Sequence, residues 1–186
     1  KRREKFLFAD RNLLVRFFDN YLQDGKFNLA EKILEVMSDN FSPDPIIFTK
    51  RALLFQAKGE FNRAENELAQ LPISENEIPT VLLQYANLEF KLGRVSQSEI
   101  LFRRVLKKQP DFTSAFLGIG KCKLASGKTN EARVAFVNSI LLDPEFSKGW
   151  KQLADVYKET GEERLRINAL KRYLSILPTD THSWEE

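Results

Sequence analysis

Residues able to do covalent or metal chemistry are few in this chain. One Cys (Cys122), one His (His182) and one Met (Met37) occur among 186 residues. A disulfide needs a second thiol, and a Cys/His zinc site or a paired-His metal site needs more ligands than these. Cys122 lies between Lys121 and Lys123, whose ammonium groups would favour the thiolate if the sulfur were exposed. Leu54, Leu88 and Val156 stand at 34-residue intervals from it, so a buried structural thiol is expected. A Ser or Cys nucleophile needs a base within hydrogen-bond reach, and the single candidate, His182, stands apart in the last residues of the sequence. Gly118-Ile119-Gly120 has the G-x-G form, yet no strand pattern precedes it and no third glycine follows, as a dinucleotide loop requires. It reads as a packing feature. Glu162-Glu163 and Glu185-Glu186 fall where solvated helix starts or chain ends are expected, which gives no acid/base pair. The expectation is a chain that is not an enzyme and carries no cofactor or metal.

The elements that hold such residues are helical by composition. Only 8 Gly and 7 Pro accompany 15 Phe and many Leu, a balance that favours long helices over a turn-dense β-sandwich. With 42% hydrophobic and 30% charged residues the chain can build a core, and a net charge of +3 makes no argument for a nucleic-acid partner. No apolar run approaches the roughly 18 residues of a membrane span, so no span and a soluble chain are expected. The opening Lys1-Arg2-Arg3-Glu4-Lys5 leads into only Phe6-Leu7-Phe8-Ala9, shorter than the roughly 7 to 15 apolar residues of a signal-peptide core. A start without Met suggests a fragment of a larger protein. No residue pattern assigns a compartment; the expectation is the cytoplasm, with any leader or anchor upstream of Lys1.

A fixed period then organises the chain. Gly25, Gly59, Gly93, Gly127 and Gly161 stand 34 residues apart, each after a helical pattern. This gives five units: 11–44, 45–78, 79–112, 113–146 and 147–180. Five residues after each glycine come Ala30, Ala64, Ser98, Ala132 and Arg166, small in four units of five. Nine after it come Leu34, Leu68, Phe102, Phe136 and Leu170, and eleven before it Leu14, Phe48, Leu82, Phe116 and Trp150, always large and apolar. Pro110, Pro144 and Pro178 follow seventeen after it in the last three units, with Pro43 one place off in the first. Apolar spacing of three and four on both sides of the glycine (Trp150, Leu153, Ala154, Tyr157; Ala132, Ala135, Phe136, Ser139, Ile140) predicts two amphipathic helices per unit. The glycine ends the first helix, and the proline stops the second.

These residues resemble the tetratricopeptide repeat. The resemblance rests on Trp150-x2-Leu153-Ala154-x2-Tyr157 with Gly161 and Pro178, and on Phe116, Ile119-Gly120, Gly127, Ala132, Phe136 and Pro144 in the unit before. It spans residues 11–180 and implies an all-α fold, an α-α superhelix (solenoid) of five helix-turn-helix repeats with partial flanking elements. Departures are Arg51 where Leu is usual, Phe18 where a small residue is usual, Glu89 and Lys123 where an aromatic is common, and Arg166 in place of Ala. The regularity breaks in unit 45–78, where Pro72 interrupts the second helix and Ser74-Glu75-Asn76-Glu77 leads to Ile78-Pro79. Proline inside a helix costs roughly 3 kcal/mol, so the helix is expected to end near Leu71 with a loop through Pro79.

The resemblance implies recognition as the function, with first helices lining a concave surface that takes a peptide segment or helix of a partner. The inward set starts with Arg16 and Asp19, then Thr49, Lys50 and Leu53, then Leu83, Gln84, Asn87, Phe90 and Lys91. It continues with Leu117, Lys121 and Leu124, and ends with Lys148, Lys151, Gln152, Asp155 and Lys158. Of the places that hold a terminal carboxylate in the chaperone-binding clamp, Asn87 and Lys148 fit, whereas Leu83, Gly118 and Gln152 do not, so that clamp is not expected. The asparagine ladder of the glycosyltransferase-type superhelix is absent too, since its column reads Arg16, Lys50, Gln84, Gly118 and Gln152. What remains is a mixed groove with apolar contacts from Leu83, Phe90, Leu117 and Leu124, bordered by Lys50, Lys91, Lys121, Lys148, Lys151 and Lys158. It suits a protein or peptide partner with apolar anchors and acidic residues; the alternative is that these lysines are ordinary solvated surface.

Two other functions are weighed against this one. A helical-repeat nucleic-acid binder needs stacking and polar groups recurring at fixed inward places, and these columns vary among Thr, Leu, Lys and Val, so no nucleic acid is expected. A regulatory segment attached to an enzyme elsewhere in a parent chain is the other. Residues 1–10 read as a flanking segment in which Phe6-Leu7-Phe8 covers the first unit. Residues 181–186 read as the start of a further unit, because Trp184 follows Trp150 by 34. An uncovered last unit makes self-association of the fragment an expectation.

Overall fold

The computed structural model describes residues 10–41, 44–71 and 78–177. Among them the chain forms ten α-helices and no strand: α1 Arg11–Gln23, α2 Phe27–Phe41, α3 Pro45–Ala57, α4 Phe61–Ala69, α5 Pro79–Lys91, α6 Val95–Lys108, α7 Thr113–Ala125, α8 Thr129–Leu142, α9 Ser147–Thr160 and α10 Glu163–Ile176. Successive helices form antiparallel pairs joined by tight turns, and the glycine in each turn is the reason the pair can form. Gly25, Gly59, Gly93, Gly127 and Gly161 all have φ between +70° and +79°, a region that costs other L-residues steric strain. Each sits in a Schellman turn. The N–H after the glycine donates back to a carbonyl five residues earlier, as from Lys128 to Lys123 at 2.9 Å and from Lys26 to Tyr21 at 2.8 Å. Carbonyls that the helix end would leave unpaired are thereby satisfied.

Proline punctuates the other helix ends. α6 and α8 stop two residues before Pro110 and Pro144. Pro43 and Pro178 lie outside the described residues, as do residues 1–9 with Phe6-Leu7-Phe8, residues 72–77 with Pro72, and residues 178–186 with His182, Trp184 and Glu185-Glu186. α4 ends at Ala69, shorter than the other second helices, in agreement with the break expected near Leu71. The expected loop does not extend through Pro79. Pro79 is the first residue of α5, where a missing N–H removes no helical bond.

The chain divides into two compact units, Lys1–Gln84 and Tyr85–Glu186, the division falling inside α5. In the first unit, α1 packs on α2, α2 on α3, and α3 on α4 around Leu14, Phe18, Ala30, Leu34, Met37, Ile47 and Leu54. Phe18, where the repeat usually has a small residue, is fully buried, with the Lys50 ammonium 5.6 Å from its ring centre. Arg51 spans from Glu67 to Ser38, at 3.1 Å from each. An ion pair thus replaces the usual apolar contact there.

In the second unit α6 packs on α7, α7 on α8, α8 on α9, and α9 on α10. The column of small residues is buried without exception through Ala30, Ala64, Ser98 and Ala132, while Arg166 stays half-buried and reaches Glu163 at 3.3 Å. The G-x-G of α7 is closed by aromatic rings: a methyl group on Gly118 would overlap Phe102, and one on Gly120 would overlap Phe136. Those glycines bring α7 against α6 and α8. The Trp150 indole donates to the Pro144 carbonyl at 2.9 Å, fixing the entry into α9.

Candidate functional site

α7 lies in the middle of the second unit and is buried on most of its circumference, from Ala115 to Lys123. Consecutive helical residues diverge by about 100°, so three neighbours on one helix face three directions. Cys122 points into the core, fully buried, with its thiol 3.4 Å from the Ser98 hydroxyl. Burial pushes that thiol above the usual cysteine range, and the Ser98 contact offsets only part of it. The reactive-thiolate alternative therefore has no support, because the flanking lysines turn away.

Lys123 turns toward the second helices. Its ammonium bridges Glu99 at 2.9 Å and Glu131 at 2.8 Å, and its side chain is only 9% exposed. Hydrogen bonds to Glu131 and then Glu99 hold it above the usual lysine range. At Glu99, desolvation works to raise the carboxyl pKa, but hydrogen bonds from Lys123 and Arg103 outweigh it and the group lies below its ordinary range.

Lys121 turns to the first-helix side and is half-buried. Burial pushes its ammonium below the usual lysine range, and the positive charges of Lys148 on α9 and Lys91 on α5 push it the same way. Among the described residues no carboxylate pairs with Lys91, Lys121 or Lys148. Asn87 and Phe90 lie within one turn of Lys91 on α5, and Leu124 within one turn of Lys121 on α7; all three are half-buried and so partly open to a ligand.

The other expected groove residues are distributed differently. Leu117 is in the core with Phe136 and Leu153 and leaves little surface for a partner. Lys151 has its ammonium 5.5 Å from the ring centre of Tyr173, on the α10 side. Gln152 donates to Asp155 at 3.0 Å, and Lys158 is exposed. In the first unit Lys50 is paired with Asp19 at 2.6 Å, two members of the expected set neutralising each other. Leu83 and Gln84 are half-buried, and the buried Gln84 side-chain oxygen has no hydrogen-bond partner among the described residues. Among the described residues no three His, Cys, Asp or Glu side chains gather as a metal site, and no helix is long and apolar enough to cross a membrane.

No protein-family model matches the chain. It is 35% identical over 104 residues to the protein CTR9 homolog of Arabidopsis thaliana, covering 55% of the chain and 9% of that protein. It is 30% identical over 83 residues to the protein O-mannosyl-transferase TMTC3 of Mus musculus, covering 44% of the chain and 9% of that protein. The chain thus matches about a tenth of the length of these curated relatives. Among solved structures it resembles TTC0263, a thermophilic TPR protein of Thermus thermophilus, with a TM-score of 0.82 at 16% identity over 94% of the chain and 95% of that structure. The fold is that of the tetratricopeptide repeat.

Proposed function

We propose that this tetratricopeptide-repeat chain is a protein-interaction scaffold whose 34-residue units, 11–44 through 147–180, present first helices to a partner segment, and that Lys91, Lys121 and Lys148 attract its acidic residues. The observation that carries this reading is the lysine cluster itself: three ammonium groups from three first helices, one of them half-buried, with no carboxylate of the described chain to neutralise them. A desolvated charge beside like charges opposes folding, so its presence is explained by a ligand that supplies the missing anions. Phe90 and Leu124 offer apolar contact beside it, which gives affinity where the charges give approach and orientation.

Lysine suits this work as a point charge on a flexible stem and does not demand one planar geometry. The partner segment is therefore a peptide or helix with Asp or Glu near one or two large apolar residues. The test is affinity capture from the native host with the chain as bait, repeated with Lys91→Glu, Lys121→Glu and Lys148→Glu combined. Wild-type chain is expected to retain partners that fall away with added salt and are lost on charge reversal. Capture and salt dependence unchanged in the triple variant would contradict the assignment.

A further inference from the structure

On the opposite side of the second unit, α6 and α8 flank a cleft of about 590 Å³ whose base is α7. Its floor is apolar: Leu106 comes from α6, Phe116 and Ile119 from α7, and Val134 and Ala135 from α8. Val134 is 60% exposed, and with Leu106 and Phe116 it gives the cleft an apolar surface open to a partner. The rim is basic. Arg103 and Lys107 stand one turn apart on α6; Arg103 is held by Glu99 at 2.8 Å, and Lys107 has no carboxylate partner among the described residues. Glu131, the one carboxylate in the lining, is already taken by Lys123 at 2.8 Å.

This combination does not follow from repeat packing alone, because the corresponding cleft two repeats earlier has the opposite character. There Glu35 and Asp39 stand where Arg103 and Lys107 stand, and Arg51 and Arg63 where Ile119 and Glu131 stand. The ring of Phe55, buried beneath the Arg63 guanidinium at 4.1 Å, occupies the wall position that Lys123 holds. That earlier cleft is smaller, about 340 Å³. The cleft of the second unit has a lysine pinned between Glu99 and Glu131 in place of the ring, and the exchange of acids for bases reverses its rim.

We propose that the α6–α7–α8 cleft is a second docking site, separate from the first-helix lysine cluster, for an amphipathic segment of a partner protein whose apolar side chains are flanked by Asp or Glu. Its apolar residues cover Val134, Phe116 and Leu106, and its carboxylates meet Lys107 and Arg103. A basic or neutral segment leaves Lys107 unpaired.

The experiment is selection of a random peptide display library on the whole chain, followed by affinity measurement of the enriched peptides on two variants. Lys107→Glu with Val134→Lys alters the cleft at exposed positions; Lys121→Glu with Lys148→Glu alters the first-helix cluster. Enrichment of peptides combining apolar residues with Asp or Glu, weakened roughly tenfold or more by the cleft pair and unchanged by the cluster pair, is the expected result. Absence of enrichment, enrichment of basic peptides, or acidic peptides that respond only to the cluster pair would overturn the site. Sedimentation showing self-association that Val134→Lys abolishes would assign the cleft to a second copy of the chain and would overturn it as well. Because the two surfaces are altered separately, loss of this site leaves the first-helix reading standing, and the reverse.

Discussion

Lys121, Cys122 and Lys123 follow one another on α7 and end in three environments. In sequence they are two lysines flanking a thiol that the 34-residue column of Leu54, Leu88 and Val156 marks as buried. In space the thiol is sealed against Ser98, one ammonium is neutralised by two carboxylates, and the other is half-buried among lysines. The consequence for Lys121 has a definite sign. Its folded-state pKa is depressed, so the unfolded chain binds that proton more readily, and the stability penalty is in full force below the folded value and disappears as pH rises to the ordinary lysine range. Lys121→Met is therefore expected to raise the thermal unfolding midpoint at neutral pH, while weakening partner capture. A lowered midpoint would mean that the ammonium makes a favourable structural contact. Gly120 is constrained the other way: Gly120→Ala places a methyl group against the Phe136 ring, and chemical denaturation should show a loss of about 1 to 3 kcal/mol.

Helix pairs were legible because each repeat demands one kind of residue at one kind of place. A left-handed turn selects glycine, and a close helix crossing selects alanine or serine, so both recur at the period wherever they are needed. Ala132 is fully buried at such a crossing, and Ala132→Leu is expected to cost about 1 to 3 kcal/mol in a denaturation experiment, whereas an unchanged midpoint would contradict the register. The residues that depart from the pattern were not legible in the same way. Lys123 and Arg51 announce that an apolar contact is missing, but their partners Glu99, Glu131, Glu67 and Ser38 come from other helices and each falls at a different place in its 34-residue unit. The ion bridge around Lys123 also has a pH signature. The Glu99 and Glu131 carboxyls are both depressed, so their contribution is present above the ordinary glutamate range, about pH 4.3, and is lost as pH falls through their lower folded values. Wild-type chain should lose more stability on acidification than Lys123→Met, as followed by circular dichroism; equal acid sensitivity would remove the bridge as its cause.

At the level of the whole molecule the sequence conveys a helical repeat and conceals which of its surfaces are available. The inward columns mark residues by register, yet the core takes Leu117, the ring of Tyr173 takes Lys151, and Asp19 takes Lys50, since side chains are claimed by partners that periodicity does not reveal. What survives on the first-helix side of the second unit is the group of three lysines. On the proposed reading this group waits for an external anion. Nuclear magnetic resonance titration of the lysine side chains in the whole chain tests it most directly, first alone and then with a synthetic leucine–glutamate peptide. Lys121 is expected to titrate below the usual lysine range in the free chain and to move up toward it when the peptide is bound. A Lys121 titration unmoved by saturating peptide, with the binding mapped to other residues, would contradict it.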